Sequence, residues 1–207
     1  MLSTILFATS MTLMYSAPLI FSAMGGVITM RSGVDNIGLE GMMTIGAFTG
    51  AAVGYFTANP WLGFLAAGLS GMLLALLHGI VSITLKGNQI ISGIAINFIG
   101  PGISIFFTRL FFDGATQSYV VPNKLPKVLG SLGFSSSLVR TSDIDVTVVF
   151  AFILIIAMWY FLYKTRQGLR IRACGEHPAA ADTMGINVEL TRYLCVLASG
   201  FLAGLGG

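Results

Sequence analysis

Six apolar runs, each close to the length that crosses a bilayer, divide this chain into short polar joints, and a water-soluble fold cannot absorb them. A hydrocarbon core takes about 20 mostly apolar residues per helix. Residues 4–30, 37–57, 61–85, 89–112, 144–163 and a last run from 190 onward meet that requirement. Hydrophobic residues make up 55% of the 207 and charged residues only 9%, against about 25% charged in an average soluble domain. Mean hydropathy is +0.87. The expected fold class is therefore an all-α membrane protein, a polytopic helical bundle of about six spans. Residues 1–207 are expected to form one transmembrane domain.

The joints carry the turn chemistry. Pro18 predicts a kink in the first span, and Asn59-Pro60 predicts a tight turn. Lys86-Gly87-Asn88 stops the third span. Gly100-Pro101-Gly102 should break or bend the fourth. Residues 113–143 hold Pro122, Pro126, several serines and mixed charge, and read as an extramembrane loop with a short helix near 126–129. The last run reaches Gly207 after about 18 residues, with no polar stop, so the bundle is expected to continue past it.

Charge placement orients the chain. Lys164, Arg166, Arg170 and Arg172 fall in one short stretch between two apolar runs. Nucleic acid is a poor explanation for a basic stretch flanked by spans. The positive-inside rule puts residues 164–187 in the cytoplasm, and alternation then brings Arg31 and Lys86 to the same side. Residues 113–143 fall outside, where Lys124, Lys127 and Arg140 are balanced by Asp113, Asp143 and Asp145. Trp159, Tyr160 and Tyr163 sit near the inner end of the fifth span, as an aromatic belt would. Met1 to Tyr15 has no Lys or Arg, so the first run reads as a retained span rather than a cleaved signal.

Catalytic and metal signatures are missing. The sequence has no Gly-x-x-x-x-Gly-Lys-Ser/Thr and no His-Glu-x-x-His, and its two histidines lack a carboxylate pair. The two cysteines have no metal or disulfide spacing. No catalytic residue, metal site or bound cofactor is expected. His78 reads as a packed neutral histidine, Arg109 as a snorkelling cation, and the ten methionines as core filler.

The polar residues inside or beside the spans are the candidates for a transport path. Asp35 and Asn36 can cap the second helix. Glu40 either sits in its first turn, favoured by the dipole, or faces a polar path. Asn97 lies two turns into the fourth span, as a path residue or as interhelical glue. Asn88 and Gln89 read as caps, with Gln89 kept as a path candidate. In the basic stretch, Pro178 starts and Gly185 stops a predicted helix of about two turns, roughly 10 Å long. A loop-tip helix of that kind can dock into a groove on a soluble partner, or be an incidental turn in a topology-setting loop.

Three segments together resemble a known family. They are GVDNIGLEGMMTIGAF (33–48), TRQGLRIRACGEHPAAADTMGIN (165–187) and YLCVLASGFLAGLGG (193–207), with GNQIISGIAINFIGPGI (87–103) in support. They are similar to the permease subunits of bacterial ABC importers in the simple-sugar and nucleoside group, relatives of the ribose and branched-chain amino acid permeases. The resemblance implies a subunit of an ATP-driven importer for a nucleoside or simple sugar. Branched-chain amino acid permease and ion-coupled secondary transporter are the alternatives. It implies ABC ATP-binding subunits that hold ATP and Mg, a second permease subunit and an extracytoplasmic binding protein as partners. It also implies that Gly175, Glu176, His177, Pro178, Ala179, Ala180, Ala181, Asp182 and Gly185 form the coupling segment that seats on the ATPase. The path candidates remain Asn36, Glu40, Gln89 and Asn97.

Overall fold

A computed structural model describes residues 2–128 and 144–207. The far end of the short helix expected at 126–129, with Arg140 and Asp143, lies outside them. The described residues form eight α-helices and no strand: α1 (Leu2–Ser32), α2 (Leu39–Thr57), α3 (Pro60–Gly79), α4 (Gln89–Phe111), α5 (Val146–Lys164), α6 (Arg166–Glu176), α7 (Pro178–Thr183) and α8 (Val188–Gly206). α3 runs on as a π-helical turn, Ile80–Thr84. Five segments are long and apolar enough to span a membrane. α2 is not one of them, because four glycines and Glu40 dilute its apolar content. It is nonetheless as long as α5 and lies packed among the spans, so six long helices make the bundle.

The long helices persist because their polar groups are answered locally. The hydroxyls of Thr9, Thr12, Ser16 and Ser32 in α1 donate to carbonyls three or four residues back, which hides them from the apolar surroundings. Asn59 caps α3 through Oδ1, which accepts from the Trp61 and Leu62 N–H groups at 3.0 and 3.4 Å. Asn88 caps α4 in the same way, accepting from Ile90 and Ile91. Of the break or bend expected at Gly100-Pro101-Gly102, the break does not occur: α4 is helical through to Phe111 with Pro101 inside it. Ser104 Oγ, bonded to the Gly100 and Thr44 carbonyls, ties that stretch to α2.

α8 is the pivot, packed by α1, α2 and α3, while α4 leans on the far side of α2. Glycines set these distances. A Cβ on Gly46 would overlap the Gly204 backbone, one on Gly71 the Gly200 carbonyl, and one on Gly100 the Gly41 backbone. Missing side chains let helix backbones touch, the usual way membrane helices associate without a hydrophobic driving force between them. The core beside these contacts contains Val34, Met42, Leu74, Ala75, Ile96, Val196 and Ala203. The methionines divide: Met42 and Met158 are core, as expected of filler, but Met30 and Met184 are exposed. His78 is fully buried, with Nδ1 3.0 Å from Ser92 Oγ, and both cysteines are free and buried.

Candidate functional site

Two places collect the polar chemistry. One is the start of α2. The residues expected to cap this helix do not bond its first-turn N–H groups: Gly38 is the N-cap position, and Asn36 reaches only the N–H of Gly38 itself. The cap comes from α4 instead. Asn97 Oδ1 accepts from the Gly41 N–H at 2.8 Å, and its Nδ2 donates to the Ile37 carbonyl at 3.0 Å. One amide thus satisfies an orphan donor of the first turn and grips the strand of chain before it. Gln89 Oε1 accepts from the Asp35 N–H at 2.7 Å. Asn36 is only 6% exposed. Its Nδ2 donates to Ser199 Oγ on α8 at 3.0 Å, and its Oδ1 accepts from the Gly38 N–H at 3.1 Å. Asn36, Gln89 and Asn97 therefore converge on residues 35–41 and hold them to α4 and α8. Glu40 is separate: it is exposed in the first turn of α2, and its carboxylate has no partner among the described residues.

The other place is the elbow of α6 and α7. Sequence reading expects a basic loop before Pro178, but residues 166–176 are an amphipathic helix. Thr165 caps it, with Oγ1 accepting from the Gly168 N–H at 3.1 Å. Gly168, Ile171 and Cys174, spaced by three, form its buried edge, and Arg166 and Arg170 point away from it. That spacing was the available signal, masked by the charge density. The six residues of α7 match the expected short helix, and Gly185 ends it with φ +78°, a left-handed turn that suits glycine. The Ile186 N–H closes the turn on the Ala181 carbonyl at 3.1 Å.

The coupling candidates occupy two layers of this elbow. Glu176, His177, Pro178, Ala179, Ala180, Asp182 and Gly185 are exposed, and Ala181 is buried against the body. Next to them Met184 is 81% exposed. An apolar hollow of about 420 Å³ separates the helices, between Leu169 and Ala173 on α6 and Ala180 and Met184 beyond. Gly175 is not on the exposed face. A side chain there would overlap the Arg31 carbonyl, and Gly33, at φ +81°, crosses it at the end of α1. Arg192, which sequence reading passed over, locks this crossing. From α8, its Nε donates to the Ser32 carbonyl at 3.1 Å and its Nη2 to the Cys174 carbonyl at 3.4 Å. One guanidinium thus caps the last turns of both α1 and α6, and the elbow is rooted in the helices that carry α8.

At the opposite end of the bundle a cavity of about 610 Å³ opens between α1, α2 and α3, with Phe21, Phe64, Tyr119 and Asn123 in its lining. None of Asn36, Glu40, Gln89 or Asn97 lines it. No cluster of metal-ligating side chains occurs among the described residues.

Residues 8–207 match the family model described as branched-chain amino acid transport system / permease component. The chain is 44% identical to the guanosine ABC transporter permease protein NupQ of Bacillus subtilis, over 95% of this chain and 64% of that protein. It is 38% identical to the nucleoside ABC transporter permease protein NupC of Lactococcus lactis, over 94% of this chain and 64% of that one. A putative glucose ABC transporter permease protein of Haloferax volcanii, TsgC13, is 36% identical over 95% of this chain and 60% of its own length. The chain thus spans just under two thirds of these relatives. No solved structure matches it. Helices of membrane length, a glycine-packed bundle and a match over almost every residue have one reading: this chain is a multi-pass membrane protein belonging to the branched-chain amino acid transport system / permease component family.

Proposed function

We propose that the chain is part of the permease subunit of an ATP-driven importer for a nucleoside, with α7 as the segment that seats on a separate ATP-binding subunit. The observation that carries this reading is the elbow itself. A short helix with an almost fully exposed face is a poor structural element alone, yet the end of α6, joined to it through His177 alone, is fastened to α1 and α8 by Gly175 and Arg192. Force applied at α7 would reach two long helices without passing through a loop. ATP and Mg would reside in the partner, in keeping with the absence of a P-loop here. A second permease subunit would complete the path, and an extracytoplasmic protein would deliver the substrate.

The proposed orientation puts the elbow, Arg31 and Lys86 in the cytoplasm of a cell whose plasma membrane holds the chain. The cavity at the other end then faces outward, and its size suits a small ligand. Glu40 is the path candidate left with a free carboxylate, whereas Asn36, Gln89 and Asn97 serve as scaffold. The nucleoside class is favoured by the likeness to the guanosine permease NupQ and the nucleoside permease NupC. The sugar class is supported by two glucose permeases of one organism, TsgC13 and TsgB13.

The test uses the full-length permease with its ATPase. Ala180→Arg and Asp182→Arg each load bulk and charge onto the exposed face of α7. Loss of ATPase co-purification, with normal thermal stability, is the expected result; unchanged co-purification and uptake would refute the coupling role. Uptake of labelled guanosine, competed separately by ribose and leucine, tests the substrate class, and competition by leucine alone would overturn the nucleoside reading.

A further inference from the structure

Three elements meet at a pair of arginines that have no acidic partner among the described residues. Arg31 stands in the last turn of α1, Tyr163 in the last turn of α5, and Arg172 in α6. Arg31 Nη2 donates to Tyr163 Oη at 3.0 Å, and its guanidinium carbon lies 5.9 Å from the centre of the tyrosine ring. The Arg172 guanidinium carbon lies 5.1 Å from the same centre. Arg172 Nε is buried and has no hydrogen-bond partner among the described residues. Neither guanidinium forms an ion pair among the described residues. Two like charges gathered on one ring repel each other, and the ring's quadrupole answers each by only about 0.5–1 kcal/mol at an exposed site. A buried N–H left unmade is a further deficit. A single phosphodiester between the two forks would answer both charges.

The surroundings say which phosphodiester. Ile153, Ile156, Tyr160 and Tyr163 are all exposed, and their spacing of three, four and three sets them on one stripe of α5. Trp159 is exposed beside them, with Lys164 Nζ 5.7 Å from its ring. An apolar stripe that ends in an aromatic belt and then in cations is the profile of a lipid, acyl chains below and headgroup above. We propose that Arg31, Tyr163 and Arg172 form a binding site for the headgroup of an anionic phospholipid, whose acyl chains lie along the 153–160 stripe of α5. The site does not depend on the transport reading. It would clamp α1, α5 and the elbow helix α6 together at the membrane surface.

The test is native mass spectrometry of the purified chain in detergent, titrated with phosphatidylglycerol, phosphatidylcholine or inorganic phosphate. Wild type should retain phosphatidylglycerol over phosphatidylcholine, and inorganic phosphate should not displace it. Arg31→Gln with Arg172→Gln should weaken retention by about fivefold for each arginine removed. Arg166→Gln with Arg170→Gln removes the same charge from the exposed side of the same stretch and should leave retention within about twofold. Tyr163→Ala keeps every charge and only removes the ring that gathers the two arginines; retention should fall here too, which keeps the test open if the double Gln variant does not fold. Equal losses in the two Gln pairs would reduce the effect to general basic charge and overturn the site. Displacement by inorganic phosphate would assign the arginines to a free anion, and equal retention of phosphatidylcholine, or unchanged retention in Tyr163→Ala, would also refute it.

Discussion

Where α2, α3 and α8 cross, backbones touch because side chains are missing; at the elbow, backbones are joined because side chains reach across. Gly46 meets Gly204 and Gly71 meets Gly200 with no room for a methyl group. In the elbow one glycine crossing, Gly33 against Gly175, is supplemented by Thr165, Arg192 and the closing turn at Gly185. The two constructions fail differently. A glycine contact tolerates nothing added, whereas a hydrogen-bonded joint tolerates addition on its free face and suffers from removal. On the proposed function, in which the bundle would stay assembled while its surface segment was pushed, both kinds would be needed.

The sharpest way to break the comparison is Gly46→Val. Its branched side chain would collide with the Gly204 backbone, which cannot rotate aside as a side chain can. Over-packing typically costs about 1–3 kcal/mol and occasionally more, and a backbone obstacle puts this site at the upper end. We expect Gly46→Val to lower the thermal unfolding temperature in detergent or to abolish monodisperse protein, read by fluorescence-detected size exclusion. A stability within experimental error of wild type would mean that the close approach of α2 and α8 is not structural.

The elbow should respond to subtraction. Arg192→Ala leaves the Ser32 and Cys174 carbonyls without their charged donor. Hydrogen bonds to charged groups contribute about 1.5–3 kcal/mol each, and partial exposure reduces that, so a loss of about 2 kcal/mol is expected. The loss should be local: hydrogen exchange should rise in residues 166–186 and at the end of α1, not at the α2–α3 crossing. Arg192→Lys, with a single point charge in place of a fork, should recover only part of the protection. Uniform deprotection across the bundle would contradict the view that Arg192 acts on the elbow alone.

How far the sequence revealed this differs between the two regions. The long helices were legible, since the apolar runs 37–57 and 144–163 became α2 and α5 with ends shifted by two or fewer residues. Asn59, Asn88, Pro178 and Gly185 did what their chemistry predicts, because caps and turns are decided within a few residues. The helix α6 was missed because four basic residues outweighed the three-residue spacing of Gly168, Ile171 and Cys174. The start of α2 was misread for a different reason. Its cap is supplied by Asn97, more than fifty residues along the chain, and no local pattern distinguishes Asn36, which bonds α8, from an Asn that caps its own helix. Arg192 and Ser199 are silent in the same sense, since each acts on a backbone or side chain reached only through the fold.

That tertiary cap offers a finer test. Asn97→Ala removes the acceptor for the Gly41 N–H and the donor to the Ile37 carbonyl. Lost N-caps cost about 1 kcal/mol, and side-chain bonds between membrane helices average about 0.6, so a destabilisation of about 1 kcal/mol is expected. Thermal unfolding of Asn97→Ala beside Asn97→Asp separates the two bonds, because aspartate keeps the acceptor and loses the donor. Equal losses in the two variants would show that the accepted bond from Gly41 contributes nothing.

The smallest expected effect lies at Gly102, about half a turn from the tight contact of Gly100 in α4. Gly100 is pressed on the Gly41 backbone, but an added Cβ at Gly102 would find nothing within 4 Å. Gly102→Ala should therefore be neutral or stabilise the protein by up to about 1 kcal/mol, the helix-interior preference for alanine. Gly100→Ala, two residues away, should destabilise it. The pair holds composition, helix and membrane depth nearly constant and changes only what the new methyl group meets. Opposite signs in a thermal-shift measurement would assign glycine's role in this bundle to contact geometry. If both substitutions stabilised α4, Gly100 would be a site of helix propensity alone, and the contrast between a core built by subtraction and an elbow built by reach would lose its footing at the α2–α4 crossing.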